Sequence, residues 1–131
     1  MSRYCLDTSA YSHFKRGDRA VVELIDTAEW VGVPAVVLGE LWSGFLAGGH
    51  LERNAADLAE FLANPVVHEI PIGREIARLY AEILTALRRG GTPVPTNDVW
   101  IAAAAAHSGT SVLTYDGHFQ SIVRVGAVIL A

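Results

Sequence analysis

Short apolar runs alternate with segments of helical periodicity along the whole chain. The apolar runs, each four or five residues long, predict β-strands at residues 3–6, 30–33, 66–70, 112–115 and 127–130. Between them, apolar residues at helical spacing predict one helix from the Asp7 cap to about Lys15 and others at 19–27, 34–47, 51–62, 76–89 and 96–107, with one or two helical turns at 116–121. Strands that alternate with helices in this way predict a mainly parallel sheet with helices on both faces.

Two acidic residues directly follow predicted strands. Asp7 comes after the first strand, and Asp116 comes after the fourth. Parallel strands end at the same edge of a sheet, and α/β sheets bind their ligands beyond that edge. We therefore expect Asp7 and Asp116 to lie on one rim, although each also suits a simpler role as the N-cap of the helical segment that follows it.

A third acidic residue lies in a predicted helix that contains no lysine or arginine to pair with it. Glu40 shares a stripe at i, i+3, i+4 spacing with Val37, Leu41, Gly44 and Gly48. Such a stripe is typical of the face that a helix turns towards the core. We therefore expect Glu40 to point inward.

A fourth acid, Asp98, is in line with Ile101, Ala102 and Ala105 of the predicted helix at 96–107. Its position in the first turn also suits the helix dipole, which is the simpler explanation. Carboxylates at core-facing positions are costly unless they are paired or bind a cation. Asp7, Glu40, Asp98 and Asp116 together therefore indicate one shared site rather than four separate structural roles.

Convergence of these carboxylates would favour a divalent cation. Two carboxylates about 4 Å apart repel each other by roughly 4 kcal/mol at an effective dielectric constant near 20. They must therefore share protons or bind cations. Oxygen-only ligation selects hard ions, so we expect Mg²⁺ or Mn²⁺. Such ions activate a water molecule and stabilise charge during displacement at phosphorus.

Composition narrows the class of protein. With 131 residues, 51% of them hydrophobic, and a mean hydropathy of +0.30, the chain is expected to form one domain, residues 1–131, with thorough burial or an extensive oligomer interface. The single cysteine, Cys5, excludes disulfide frameworks and is expected to be a small buried hydrophobe. No stretch is apolar for long enough to be a signal peptide or a membrane span, so a cytoplasmic protein is expected.

The net charge of −4 has the wrong sign for binding nucleic acid through bulk electrostatics. This argument does not exclude a metal-dependent nuclease, because such an enzyme needs a local carboxylate cluster. Its bound cations then supply positive charge where the phosphate lies.

Four motifs in order resemble those of the PIN-domain ribonucleases, particularly the VapC-type toxins of bacterial toxin–antitoxin pairs. The matching segments are Leu-Asp-Thr-Ser at 6–9, Pro-Ala-Val-Val-Leu-Gly-Glu-Leu at 34–41, Asn-Asp-Val-Trp-Ile-Ala-Ala at 97–103 and Leu-Thr-Tyr-Asp-Gly-His-Phe at 113–119. The resemblance covers essentially the whole chain and implies a three-layer α/β/α sandwich. It also implies a metal-dependent endoribonuclease that cuts RNA, inhibits translation, forms a homodimer and is held inactive by a cognate antitoxin.

The resemblance further implies which side chains do the work. Asp7, Glu40, Asp98 and Asp116 correspond to the acidic catalytic and metal-binding residues of the family. Residues beside those acids become candidates for orienting them or the substrate, namely Thr8, Ser9, Asn97 and Thr114. His118 lies close to Asp116 in sequence and is a weaker candidate for a role near the site.

The sequence is also compatible with other functions. A housekeeping RNA-processing nuclease of the same family and a non-catalytic binding module on the same fold are the main alternatives. Haloacid-dehalogenase-like phosphatases and response-regulator receivers also place acids at strand ends, but both need a lysine late in the chain. Lys15, the only lysine, lies in the first predicted helix, and Thr8-Ser9 after Asp7 do not form the phosphatase Asp-x-Asp.

Overall fold

In the computed structural model, which describes residues 2–131, five parallel strands form one sheet. The strands are β1 (Arg3–Leu6), β2 (Trp30–Pro34), β3 (Val67–Ile70), β4 (Ser111–Thr114) and β5 (Ala127–Ile129). Their order across the sheet is β3-β2-β1-β4-β5, and every neighbouring pair is parallel. The predicted α/β fold is confirmed, and the described sheet is parallel throughout.

Six α-helices connect the strands, and a 3₁₀ helix (Gly117–Ser121) follows β4. They are α1 (Thr8–Lys15), α2 (Arg19–Asp26), α3 (Ala35–Ala47), α4 (Leu51–Leu62), α5 (Arg74–Arg89) and α6 (Thr96–Ser108). Parallel strands are joined by right-handed crossovers. The chain moves in one direction across the sheet from β1 through β2 to β3, so α1 to α4 lie on one face. After β3 it moves back in the other direction to β4, so α5 and α6 lie on the opposite face. The result is the three-layer sandwich that the sequence predicts, with element boundaries within two residues of the predicted ones.

The middle of helix α6 is buried on all sides because the sheet lies on one side of it and α5 on the other. Four consecutive alanines, Ala102 to Ala105, are completely buried in it. Their small side chains allow the helix to lie close to the sheet. The segment shows no amphipathic pattern because it is buried on both sides. Gly109 adopts a left-handed conformation (φ 65°) that ends the helix and directs the chain into β4.

The inward stripe predicted for α3 is only half as long as expected. Val37 and Leu41 are buried, but Gly44 and Gly48 are exposed. Of residues 42–47, in the second half of the helix, only Phe45 packs against the core. Trp42, in the same half of the helix, is 42% exposed.

None of the helices formed by residues 2–131 combines the length and apolarity needed to cross a membrane.

Candidate metal centre

The site lies where the strand order changes direction. From β1 the chain proceeds outward to β2 and β3, and it then returns to β4 on the opposite side of β1. The elements that follow β1 and β4 therefore leave on opposite faces, which opens a crevice at the carboxyl ends of these two strands. Leu6 pairs with Leu113 in the sheet, and the Asp7 N–H donates to the Leu113 carbonyl oxygen at 3.3 Å. Asp7 is thereby placed at the crevice.

Asp7 is the most buried acid of the site, with 4% of its surface exposed. Its Oδ1 accepts hydrogen bonds from the Ala10 N–H at 2.8 Å and the Ser9 hydroxyl at 2.7 Å, and its Oδ2 accepts one from the Thr114 hydroxyl at 2.5 Å. Burial raises the pKa of Asp7, while these hydrogen bonds oppose the rise. A carboxylate offers about four lone-pair sites, so one remains available to a cation.

Ser9 and Thr114 connect Asp7 to the segment that carries Asp116. The Ser9 hydroxyl oxygen accepts the Tyr115 N–H at 3.0 Å, and the Thr114 hydroxyl oxygen accepts the Asp116 N–H at 2.8 Å. Each hydroxyl therefore donates to Asp7 and accepts from the chain after β4. These two bridges hold Asp7 in a fixed position relative to the backbone of Asp116.

Asp98, Asp116 and His118 come together on the open side of the crevice. One potential ligand atom from each lies within 4.8 Å of the other two. His118 Nδ1 is 3.1 Å from Asp116 Oδ1 and 3.5 Å from Asp98 Oδ2. Asp116 Oδ1 also accepts the His118 N–H at 2.8 Å, so this acid caps the 3₁₀ helix as well as facing the cluster.

The environment of Asp98 favours its protonated form. Its side chain is 17% exposed. Burial, with smaller contributions from the negative charges of Asp116 and Asp7, raises the pKa of Asp98 to about 6, while His118 opposes the rise. A carboxyl group that is costly to ionise alone becomes favourable to ionise when a cation neutralises the cluster.

His118 was a weak candidate from sequence alone, and the structure places it in contact with both aspartates. The signal in the sequence is the Asp-x-His spacing across a short turn, which brings the imidazole back over the preceding carboxylate. Imidazole prefers softer ions, whereas carboxylates suit hard ones. The donor set of aspartates therefore fits Mg²⁺ or Mn²⁺, with His118 as their hydrogen-bond partner.

Glu40 is on the same rim but not in the close cluster. Its Oε1 accepts the Thr8 hydroxyl at 2.7 Å, and Thr8 directly follows Asp7. The carboxylate is half-buried and lines a groove of about 550 Å³, to which Asn97 also contributes. Thr8 thus contacts Glu40, whereas Ser9 and Thr114 each contact Asp7. Asn97 lies across the groove from α3.

The raised pKa of Asp98 predicts a pH dependence of metal binding. Ions bind the deprotonated carboxylate, so protonation competes with binding below about pH 6. We expect the affinity for Mn²⁺ to fall about tenfold between pH 7.5 and pH 5, with proton release on binding at the lower pH. Calorimetric titration in two buffers of different ionisation enthalpy measures both quantities. An affinity that is constant over this range would contradict the assignment of Asp98 as a ligand.

The sequence and the fold of this chain match those of known proteins. The model of the PIN domain matches residues 4–125, so the chain belongs to the PIN-domain family. Within that family it is similar to two proteins of Mycobacterium tuberculosis. Ribonuclease VapC5 is 32% identical over 94% of this chain and 90% of its own length, and Ribonuclease VapC4 is 31% identical over 78% of each.

A solved structure shows the same fold over the full length. VapBC-5 from Mycobacterium tuberculosis, a member of the VapBC family of toxin–antitoxin systems, superposes with a TM-score of 0.75 at 29% identity, covering 99% of this chain and 100% of that one. The resemblance drawn from the four sequence motifs is thereby confirmed.

Proposed function

We propose that this chain is a metal-dependent endoribonuclease that hydrolyses phosphodiester bonds in RNA and is the toxin of a toxin–antitoxin pair. The observation that carries the proposal is the convergence of Asp98 and Asp116 beside the buried Asp7 at the carboxyl rim of the sheet. The similarity of this chain to the ribonucleases VapC5 and VapC4 supports RNA as the substrate. Mg²⁺ or Mn²⁺ is the ion that an oxygen donor set favours.

The position of each side chain determines its proposed role in binding the ion, holding a ligand in place or orienting water. Asp7, Asp98 and Asp116 would hold the ion, which when bound would supply activation of a water molecule and neutralisation of charge at the scissile phosphate. Ser9 and Thr114 keep Asp7 in place through the hydrogen bonds described above. Glu40, oriented by Thr8, faces the groove and is placed to orient a water molecule on that side.

An antitoxin is the proposed protein partner. VapBC-5 is a toxin–antitoxin system, and this chain matches it over its full length. Large apolar side chains exposed on α3 and α4 support protein association: Trp42, Leu46 and Leu51 are 42%, 68% and 38% exposed. We propose that the chain also forms a homodimer, as typical members of the family do.

Growth of a bacterial host distinguishes the proposed toxin from the two alternatives, a housekeeping RNA-processing nuclease and a non-catalytic binding module. We expect strong induction of the wild-type chain to arrest growth and the Asp98→Asn variant, at equal soluble level, to leave growth normal. Co-expression of the protein encoded beside it should restore growth. Normal growth with abundant soluble wild-type protein would favour a housekeeping nuclease, and arrest by both chains would favour a non-catalytic binding module.

A further inference from the structure

Tyr115, the residue between β4 and Asp116, has an aromatic ring that stacks on the imidazole of His13. The ring centroids are 3.6 Å apart and the ring planes differ by 11°. His13 is in the last turn of α1, so the stack joins this helix to the segment that follows β4. The contact therefore holds the side chain that comes immediately before a proposed metal ligand.

Asp18 fixes the orientation of the His13 ring. His13 Nδ1 donates a hydrogen bond to Asp18 Oδ2, and the Asp18 N–H donates to the His13 carbonyl oxygen at 3.1 Å. Between them Gly17 adopts a left-handed conformation (φ 80°), which turns the chain so that both contacts form. Rotation of the imidazole would break its bond to the carboxylate, so the ring is held in the plane that stacks on Tyr115.

The Asp18 side chain contacts His13 instead of capping a helix. Asp18 occupies the N-cap position of α2, where aspartate commonly accepts a hydrogen bond from the first turn of the helix. Its side chain makes no such bond. The most direct way in which this aspartate could stabilise α2 is therefore not used, and this indicates a role for the His13 contact beyond the folding of α2.

Tyr115 is connected to the acidic site through its backbone. Its N–H donates to the Ser9 hydroxyl oxygen at 3.0 Å, and that hydroxyl donates to Asp7 Oδ1 at 2.7 Å. The next residue is Asp116, whose N–H donates to the Thr114 hydroxyl oxygen at 2.8 Å. A displacement of Tyr115 would therefore move Asp116 and also the hydroxyl that holds Asp7.

We propose that His13 is a positioning residue of the metal centre, which holds Tyr115 by stacking and thereby fixes Asp116 and, through Ser9, Asp7. The proposal rests on the proposed metal-dependent nuclease function and adds to it a residue outside the acidic cluster. The polar contact of the His13 side chain is with Asp18 and not with an acid of the site. His13 therefore acts on the ion only through the residues that it holds in place.

His13→Ala tests the proposal, and His68→Ala is its matched control. His68 is also an imidazole stacked on an aromatic ring, that of Trp30, with 5.2 Å between the centroids and 10° between the planes. It lies in the edge strand β3, which β2 separates from β1. We expect His13→Ala to lower the Mn²⁺ affinity about tenfold, the lower end of the range for groups that orient metal ligands. His68→Ala should bind Mn²⁺ as the wild type does.

Calorimetric titration measures the Mn²⁺ affinity, and thermal unfolding without Mn²⁺ measures the stability of each variant. Cleavage of a labelled single-stranded RNA at a subsaturating Mn²⁺ concentration should fall in parallel with the affinity. His13→Phe keeps a ring for the stack and should recover most of the affinity that His13→Ala loses. Asp18→Ala frees the imidazole without removing it, so it should lose part of the affinity and provides a second test if His13→Ala does not fold.

A double variant tests whether His13 acts through Tyr115. His13→Ala combined with Tyr115→Leu should bind Mn²⁺ no more weakly than the weaker of the two single variants, because both substitutions remove the same contact. Wild-type affinity in His13→Ala, an equal loss in His68→Ala, no recovery in His13→Phe or additive losses in the double variant would each overturn the proposal. RNA left uncut by the wild type at saturating Mn²⁺ would instead refute the ribonuclease function, and the Mn²⁺ titrations would still decide the role of His13.

Discussion

Asp98→Asn is expected to reduce metal-dependent RNA cleavage by about 100- to 1,000-fold, the size of effect typical of removing a group that stabilises the transition state. Asparagine has nearly the same shape as aspartate but no charge, so its amide oxygen is a much weaker ligand to Mg²⁺ or Mn²⁺ than a carboxylate. The negative charge of Asp98 is what the substitution removes from the site, where Asp98 lies beside Asp116 and His118 and farther from Asp7.

The same substitution should make the metal-free protein more stable. The folded pKa of Asp98 is about 6 against an ordinary value of 3.8, so the fold binds this proton more tightly than the unfolded chain does. The contribution of Asp98 to stability therefore declines as the pH rises from about 4 to about 6 and stays low above that. Two pKa units correspond to roughly 3 kcal/mol, and solvent screening at this partly exposed site reduces the expected gain at pH 7.5 to about 1 kcal/mol.

Cleavage assays with a chelator and thermal unfolding with and without Mn²⁺ measure both effects. Mn²⁺ should raise the unfolding temperature of the wild type and leave that of Asp98→Asn unchanged. Asp26→Asn is the matched control, since Asp26 is an exposed acid at the end of α2. Loss of activity together with loss of stability in Asp98→Asn would mean that Asp98 has a structural role instead.

The positions of Asp7 and Asp116 followed from the sequence because strand ends are local features. An apolar run followed by an acid and a helix start predicts where that acid lies, once the sheet is known to be parallel. Ser9 and Thr114 were identified as neighbours of these acids for the same reason. The hydrogen bonds that they form cross between β1 and β4, over more than 100 residues of chain, and depend on the register of those strands.

Two features of the site could not be predicted because they depend on how separate elements approach each other. His118 reaches Asp98 only because the 3₁₀ helix turns towards the start of α6. Periodicity placed Glu40 on an inward stripe, but the core covers only the first half of α3, and Glu40 lies at the boundary between that core and the groove. Hydrophobic spacing identifies a helix face but not the length of helix that its neighbours cover.

Thr114→Val should weaken both the fold and the metal site. Thr114 is completely buried, donates a hydrogen bond to Asp7 and accepts one from the Asp116 N–H. Valine has the same shape without the hydroxyl, so Asp7 loses a donor that lowers its pKa, and a backbone N–H loses its partner. We expect a loss of about 1–3 kcal/mol in the free energy of unfolding. Mn²⁺ affinity and cleavage should fall by about 10–100-fold, as is usual for groups that orient metal ligands.

Thr114→Ser separates these two consequences. Serine keeps the hydroxyl and removes one buried methyl group, which costs about 1 kcal/mol in stability through the small cavity it leaves. The serine variant should therefore be less stable than the wild type and yet bind Mn²⁺ with nearly wild-type affinity. Thr114→Val, in contrast, should lose both stability and Mn²⁺ affinity. If valine binds Mn²⁺ as tightly as threonine does, the hydroxyl does not hold Asp7 for the metal. If serine loses affinity as valine does, packing around Thr114, rather than its hydrogen bonds, fixes the geometry of the site.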